Sequence, residues 1–298
     1  MVKVDVYGDT RATCVQRVLI LLEELDLKYD VIKVDLLKNE HKTEDFLKLQ
    51  PFGKIPVVKY DDRVIFESRS ILKYIAKNNV DIKDLLGGTD EDIWLEVESQ
   101  NYNPPASKIV NEKLFKKWRG EKADEDVVKK SLEELEKVLD VYEGRLSEHP
   151  YIGGEFFSIA DISHIPYTNY LLKCGYKDLY KKRPNVYKWL KRIIKRDSVQ
   201  YLTRQSEHVS KLNKKESGSV KKSDTVKESE SVKESESVKK SDDKSNDKSN
   251  DDSIKKLLDD EESDDEESID KEKEYKKMVK KMMRTERTER TKLQNDIE

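Results

Sequence analysis

The sequence is poor in cysteine: Cys14 and Cys174 are the whole complement, far apart in the chain. That excludes a disulfide framework and a clustered cysteine metal site. No apolar run approaches the length of a membrane-spanning helix, and no secretory leader is expected. These absences lead to the expectation of a reducing, cytoplasmic setting. A surplus of positive charge is missing as well. Residues 1–203 carry 35 Lys+Arg and 35 Asp+Glu, which gives no electrostatic basis for binding nucleic acid. Residues 204–298 carry 24 and 27, in a chain that is 41% charged with a mean hydropathy of −0.89. In that last third it is apolar side chains that are scarce. Val220, Val226, Val232 and Val238 recur once per six mostly polar residues, too sparsely to build a core, so disorder is expected there.

What is present before residue 203 has clear periodicity. Val2 to Tyr7 alternates and ends in Gly8-Asp9, which predicts a strand and a turn. A helix is predicted from Thr13 to about Leu25, with Val15, Val18, Leu19 and Leu22 on one face, and a second strand from Tyr29 to Leu36. Gln50 to Ile75 is the organising stretch. It reads as a loop, a strand over Val57–Tyr60, a turn at Asp61-Asp62, a strand over Val64–Phe66 and a helix carrying Ile71, Leu72 and Ile75. The order β-α-β then β-β-α predicts a mixed four-stranded sheet with helices packed on it.

Beyond a linker at 81–92 the pattern is wholly helical. One helix is predicted from Ile93. A long one covers Asp124 to Leu146, with Val128, Leu132, Leu135, Leu139, Tyr142 and Leu146 as its apolar stripe. Ser158 and Asp161 match a capping box, flanked by Phe157 and Ile162 as a hydrophobic staple. The helix they open contains Pro166, which should kink it. Arg183-Pro184-Asn185 begins a last helix bearing Val186, Trp189, Leu190 and Ile193.

Two details of the organising stretch point toward a ligand. Ile55-Pro56 places proline at the start of a strand, where a cis bond fits and would leave the backbone of Ile55 free to pair with an extended ligand. Glu67, Ser68 and Ser70 fall in the first turn of the following helix, where they could cap its amides or hold an ammonium and a carboxylate. A well-capped helix after a hairpin, with no ligand at all, fits the same residues.

The motif P-F-G-K-I-P-V-V, followed after a short turn by F-E-S-R-S-I, resembles the glutathione-binding half of glutathione transferases. Glu40-His41-Lys42 upstream makes the resemblance closest to the phi class of plants and fungi, over residues 2–202 or so. The resemblance implies a thioredoxin-like domain at 1–80 and an all-helical domain at 93–203, while composition alone leads to the expectation of a charged, disordered tail at 204–298. It implies glutathione as co-substrate with no metal, a homodimer with Arg69 near the contact, and conjugation of small electrophiles in a detoxifying role. Hydroperoxide reduction is a companion activity. His41, Lys42 and Lys54 would meet the glycine carboxylate, Ile55 and Pro56 would present the strand edge, and Glu67 and Ser68 would hold the γ-glutamyl end. Arg11, Leu36 and Lys116 would border the electrophile.

One position departs from the pattern. The serine that phi-class proteins carry just before the first helix corresponds to Ala12. Thr13 is then the candidate catalytic hydroxyl, with Thr10 a weaker one, and Cys14 could form a mixed disulfide or be a small buried side chain. The alternative is a non-catalytic binding module of the same fold, similar to the N-terminal part of elongation factor 1-gamma. In the tail, Asp259 to Glu267 is acidic and holds Ser263, and Lys271 to Lys292 is basic with Tyr275, Met278, Val279 and Met282 at helical spacing. That pairing suggests weak binding of an anionic partner, masked when the acidic block folds back, or a solvated appendage with no specific partner.

Overall fold

The computed structural model describes residues 2–79 and 89–204. The tail readings above, the valine repeat and most of the linker lie outside the described residues.

Strands β1 (Val4–Gly8), β2 (Asp30–Lys33), β3 (Val57–Tyr60) and β4 (Arg63–Phe66) form one sheet in the order β2-β1-β3-β4. β1 pairs parallel with β2 and antiparallel with β3, and β3 pairs antiparallel with β4. This is the mixed sheet that the β-α-β/β-β-α order implies. Central β3 is buried on both faces. Val58 packs into the main core with Val4, Val6 and helices α1 (Thr13–Glu24) and α3 (Ser68–Asn78). Val57 packs on the other face with Val34 and Phe46 of α2 (Glu44–Leu49). β2 is shorter than its apolar pattern predicts. After Val34 donates to the Gly8 carbonyl, the Asp35 carboxylate accepts from the Leu37 and Lys38 amides, and this local turn ends the strand.

The second domain opens with one helical run. α4 (Thr89–Val97), a wide-turn π stretch (Glu98–Tyr102), α5 (Asn103–Val110), a second π stretch (Asn111–Phe115) and α6 (Lys116–Trp118) follow without a break. The run starts at Thr89 rather than Ile93, with Asp90, Glu91 and Asp92 placed at the positive end of the helix. Pro104 and Pro105 follow the first π stretch directly, where the wide turn accommodates two residues that cannot donate. Then come α7 (Glu125–Glu148), capped by Asp124, α8 (Ile159–Lys173), α9 (Lys177–Lys181) and α10 (Pro184–Ile194), with residues 197–204 again helical.

α8 is the axle of this domain and is buried along most of its length. Its capping box is present as the sequence indicates, with Asp161 also accepting from Trp189 Nε1 at 2.8 Å and the Ile152 amide at 3.0 Å. Pro166 sits inside the helix without ending it. The buried carbonyl of Ser163 in that turn accepts from Arg17 Nε at 2.9 Å. Glu91 reaches the same helix end, accepting from the Ile159 amide, and burial pushes its carboxyl up to about 8.

His164 lies fully buried on α8 between Tyr102, Tyr142 and Trp189. Its Nδ1 is 2.7 Å from the Ala160 carbonyl, which can only accept, so Nδ1 carries the proton and Nε2 accepts from the Tyr142 hydroxyl at 2.8 Å. Burial pulls its pKa from the ordinary 6.5 to about 4. A depressed basic group contributes stability that is present above 6.5 and is lost as pH falls toward 4. The stability of the wild type relative to His164→Gln, measured as a Tm difference, should therefore shrink across that interval. A difference constant with pH would contradict the buried neutral imidazole.

Candidate active site

Three chain segments meet at the C-terminal end of β1. In the β3–β4 register Val57 faces Phe66, so the next positions outward set Pro56 by Glu67 and Ile55 by Ser68. In the β1–β3 register Tyr7 faces Val57, which brings the loop after Gly8 to the same place. The Cys14 thiol, 3.4 Å from the Ile55 carbonyl, fixes the start of α1 beside them.

The backbone there has donors to spare. The Ile55–Pro56 bond is cis, and the Ile55 amide has no partner among the described residues. At α3 the first intrahelical bond is Ile71 to Glu67, which leaves the Ser68, Arg69 and Ser70 amides at the helix mouth without helix acceptors. The capping role expected of Glu67 is not found. Glu67 occupies the N-cap at φ 65° and ψ 111°, its side chain makes no cap bond, and its carboxylate is exposed. A non-glycine residue held there costs about 1–3 kcal/mol, strain of the kind that collects at functional sites. Ser68 beneath it is buried.

At α1, Ala12 is the N-cap and offers no side-chain bond. Thr13, the first helical residue, is only 7% exposed, and its hydroxyl has no partner among the described residues. Burial raises the pKa of the neighbouring Cys14 thiol, which keeps it protonated and favours the small-buried-residue reading over a nucleophile.

The three predicted cations differ. Lys42 donates to the Phe52 and Gly53 carbonyls at 2.9 and 3.0 Å, so it clasps the loop that leads to Ile55. Gly53 stands at φ +58°, and a Cβ there would fall 2.6 Å from the His41 carbonyl, so the loop requires glycine. His41 Nδ1 is buried without a partner among the described residues. Lys54 is exposed and unpaired among them.

Of the border residues, Arg11 forks onto Asp9, with contacts of 2.6 and 3.0 Å. Burial alone would raise the Asp9 pKa, but the Arg11 hydrogen bonds outweigh it and hold the carboxyl below its ordinary range. Lys116 pairs with Glu112 at 2.7 Å, and Leu36 is exposed. The sequence reading missed what joins these positions. Tyr170 of α8 donates its hydroxyl to the Arg11 carbonyl at 2.6 Å, and its ring meets Phe115 and Trp118 edge-on at 5.6 and 6.2 Å. It also missed the buried ion pairs beneath. Glu98 bridges Arg17 at 3.2 Å and Arg69 at 2.6 Å, so Arg69 carries an ion pair within its own chain. Among the described residues no group of three or more His, Cys, Asp and Glu could hold a metal.

A mixed four-stranded sheet with helices packed on it, followed by an all-helical bundle, defines a protein with a thioredoxin-like first domain and a helical second one. The chain belongs to the glutathione S-transferase family, whose N-terminal domain description matches residues 2–77 and whose C-terminal domain description matches residues 103–197. Its co-substrate is accordingly glutathione. The relatives it matches are phi-class proteins of plants. The chain is 42% identical to the probable glutathione S-transferase GSTF1 of Oryza sativa subsp. japonica over 210 residues, 68% of this chain and 96% of that one. Among solved structures, glutathione transferase F2 of Populus trichocarpa superposes with a TM-score of 0.67 at 36% identity, covering 69% and 99% of the two chains. The maize glutathione S-transferase I bound to an atrazine–glutathione conjugate does so at 0.63 and 34%, covering 67% and 95%.

The unequal cations generate a test. Lys42→Ala removes two bonds that hold the loop and should lower Tm by about 2–4 °C. Lys54→Ala should leave Tm unchanged and weaken glutathione binding roughly twofold to fivefold, the worth of one exposed ion pair. Equal thermal shifts for the two variants would contradict the assignment.

Proposed function

We propose that the chain is a glutathione transferase that adds the glutathione thiolate to small electrophiles and uses the same thiol to reduce hydroperoxides. The observation that carries this reading is the convergence of unspent donors at Ile55 and at the mouths of α1 and α3. An extended tripeptide pairs its cysteinyl backbone with Ile55 beside Pro56, as an added strand. Its γ-glutamyl end goes to Glu67, Ser68 and the α3 amides, and its glycine carboxylate to His41, Lys42 and Lys54. The sulfur then faces the start of α1. A free thiol ionises near ~8.5, and one charge-assisted hydrogen bond of roughly 1.5–3 kcal/mol lowers that by about one to two units. In this reading Thr13, at the start of α1, supplies it. The acceptor lies by Arg11, Leu36 and Lys116, where the rings of Phe115, Trp118 and Tyr170 suit a planar electrophile. The free state of both described cysteines accords with a cytoplasmic setting.

The second reading, a binding module without turnover, is favoured by one observation: the N-cap residue Ala12 has no hydroxyl. Turnover of an aryl halide by wild type, Thr13→Ala and Ala12→Ser separates the two. The transferase reading expects a kcat loss of about tenfold to a hundredfold in Thr13→Ala, matching the lost hydrogen bond. An inactive wild type that gains activity only in Ala12→Ser would establish the binding module.

We also propose a homodimer. Its support is family membership and Phe52, 66% exposed on the loop before β3, an apolar anchor without a home in its own chain. Light scattering of the full chain should give twice the 34.9 kDa chain mass, and a single-chain mass would refute it.

A further inference from the structure

The outer side of α10 carries charge of one sign. Pro184–Ile194 and its cap Lys195 contain Lys188, Lys191, Arg192 and Lys195 and no acid. Val186, Trp189, Leu190 and Ile193 occupy the inner side, which puts Lys188, Lys191 and Lys195, at i, i+3 and i+7, along one outer strip. Lys181 of α9 joins it. Its ammonium and that of Lys191 lie 5.9 and 5.5 Å from the centre of the Tyr187 ring. Nearby cations are already neutralised: Lys182 by Glu136, Arg183 by Asp140 and Arg196 by Glu24. Glu143, the remaining carboxylate at the start of α10, is occupied by the Asn185 and Val186 amides. Lys181, Lys188, Lys191 and Lys195 have no carboxylate partner among the described residues.

The chain itself holds a complementary segment. Asp259–Glu267 reads DDEESDDEE, acidic at every position but Ser263. Residues 197–204 follow α10 almost at once, so the chain leaves from the end of the lysine strip. About 55 residues separate Arg204 from Asp259, a length of chain whose maximum reach far exceeds an eleven-residue helix.

We propose that the acidic block Asp259–Glu267 docks in cis on the strip formed by Lys181, Lys188, Lys191 and Lys195. Single exposed ion pairs are weak, but covalent tethering supplies a local concentration of about a millimolar, so a contact too weak between separate molecules is populated within one. The strip has an advantage over the basic segment Lys271–Lys292 as the block's partner, because its lysines are mounted on a packed helix and lose less freedom on pairing. The docked block covers a basic surface that would otherwise attract unrelated polyanions.

The test is zero-length carbodiimide cross-linking of the full chain, mixed as isotope-labelled and unlabelled copies, with mass spectrometry of the linked peptides. Docking in cis expects links from Lys188 and Lys191 to the 259–267 peptide within copies of one label. Those links should fall roughly tenfold at about 0.5 M NaCl, where screening acts within a few ångströms. They should also vanish when Lys181, Lys188, Lys191 and Lys195 are changed to Gln, with circular dichroism confirming the fold. Should that variant misfold, the salt series alone decides. Links from the block only to Lys271–Lys292, links mostly between copies of different label, or no links from 259–267 would each overturn the proposal.

Discussion

A carboxylate with no solvent exposure, Glu98, held between two guanidinium groups, is the interaction on which the two-domain arrangement rests. Arg17 comes from α1 and Arg69 from α3, both in the sheet domain, while Glu98 belongs to the first π stretch of the helical domain. Arg17 adds bonds to the Ser163 carbonyl on α8 and to Asn103 at 3.0 Å. Taking such charges out of water costs several kcal/mol per ion unless each is paired, so the domains cannot slide apart without exposing or stranding one of them. Each partner stands next to something the chemistry needs. Arg17 is on the helix that begins at Thr13, and Arg69 follows Ser68. The two helix mouths are thereby held on one rigid support.

How much of this was legible in the sequence follows from the range of the forces involved. The strands, the α7 stripe and the α8 capping box depend on residues a few positions apart, and periodicity shows them directly. The β2 strand was overextended because its apolar pattern continues to Leu36, whereas the Asp35 side chain captures the following amides. Ile55-Pro56 and Glu67-Ser68 could be brought together on paper because they flank the two consecutive strands of one hairpin. Glu67 shows the limit of that view. Its position was legible, but its φ of 65° and its exposed, uncapping carboxylate are set by packing on the elements around it.

The contacts between the two domains were not legible. Tyr170 touches Arg11 across 159 positions, and Arg17 meets Ser163 across 146. Nothing local marks such a tyrosine or arginine as an interdomain link. The Arg69 ion pair was hidden for the same reason: on helix spacing alone Arg69 sits at an exposed end, and only the docked second domain reveals the Glu98 carboxylate beside it. The charge balance of residues 1–203 has a matching origin, because many of its acids and bases are spent on one another within the fold.

The two π stretches act as phase shifters. An α-helix turns about 100° per residue, so each wide turn that absorbs an extra residue advances the following segment by that angle without bending the axis. The run from 89 to 118 can thus address three different surroundings in succession. It offers Glu98 to the sheet domain, then Tyr102, Ala106 and Ile109 to α7 and α8, then Phe115 and Trp118 to the Tyr170 ring. A strictly regular helix of the same sequence would keep one face toward one neighbour. Removing a single residue from either stretch would therefore leave the secondary structure helical while rotating every later side chain, Phe115 and Trp118 included, away from its present neighbour.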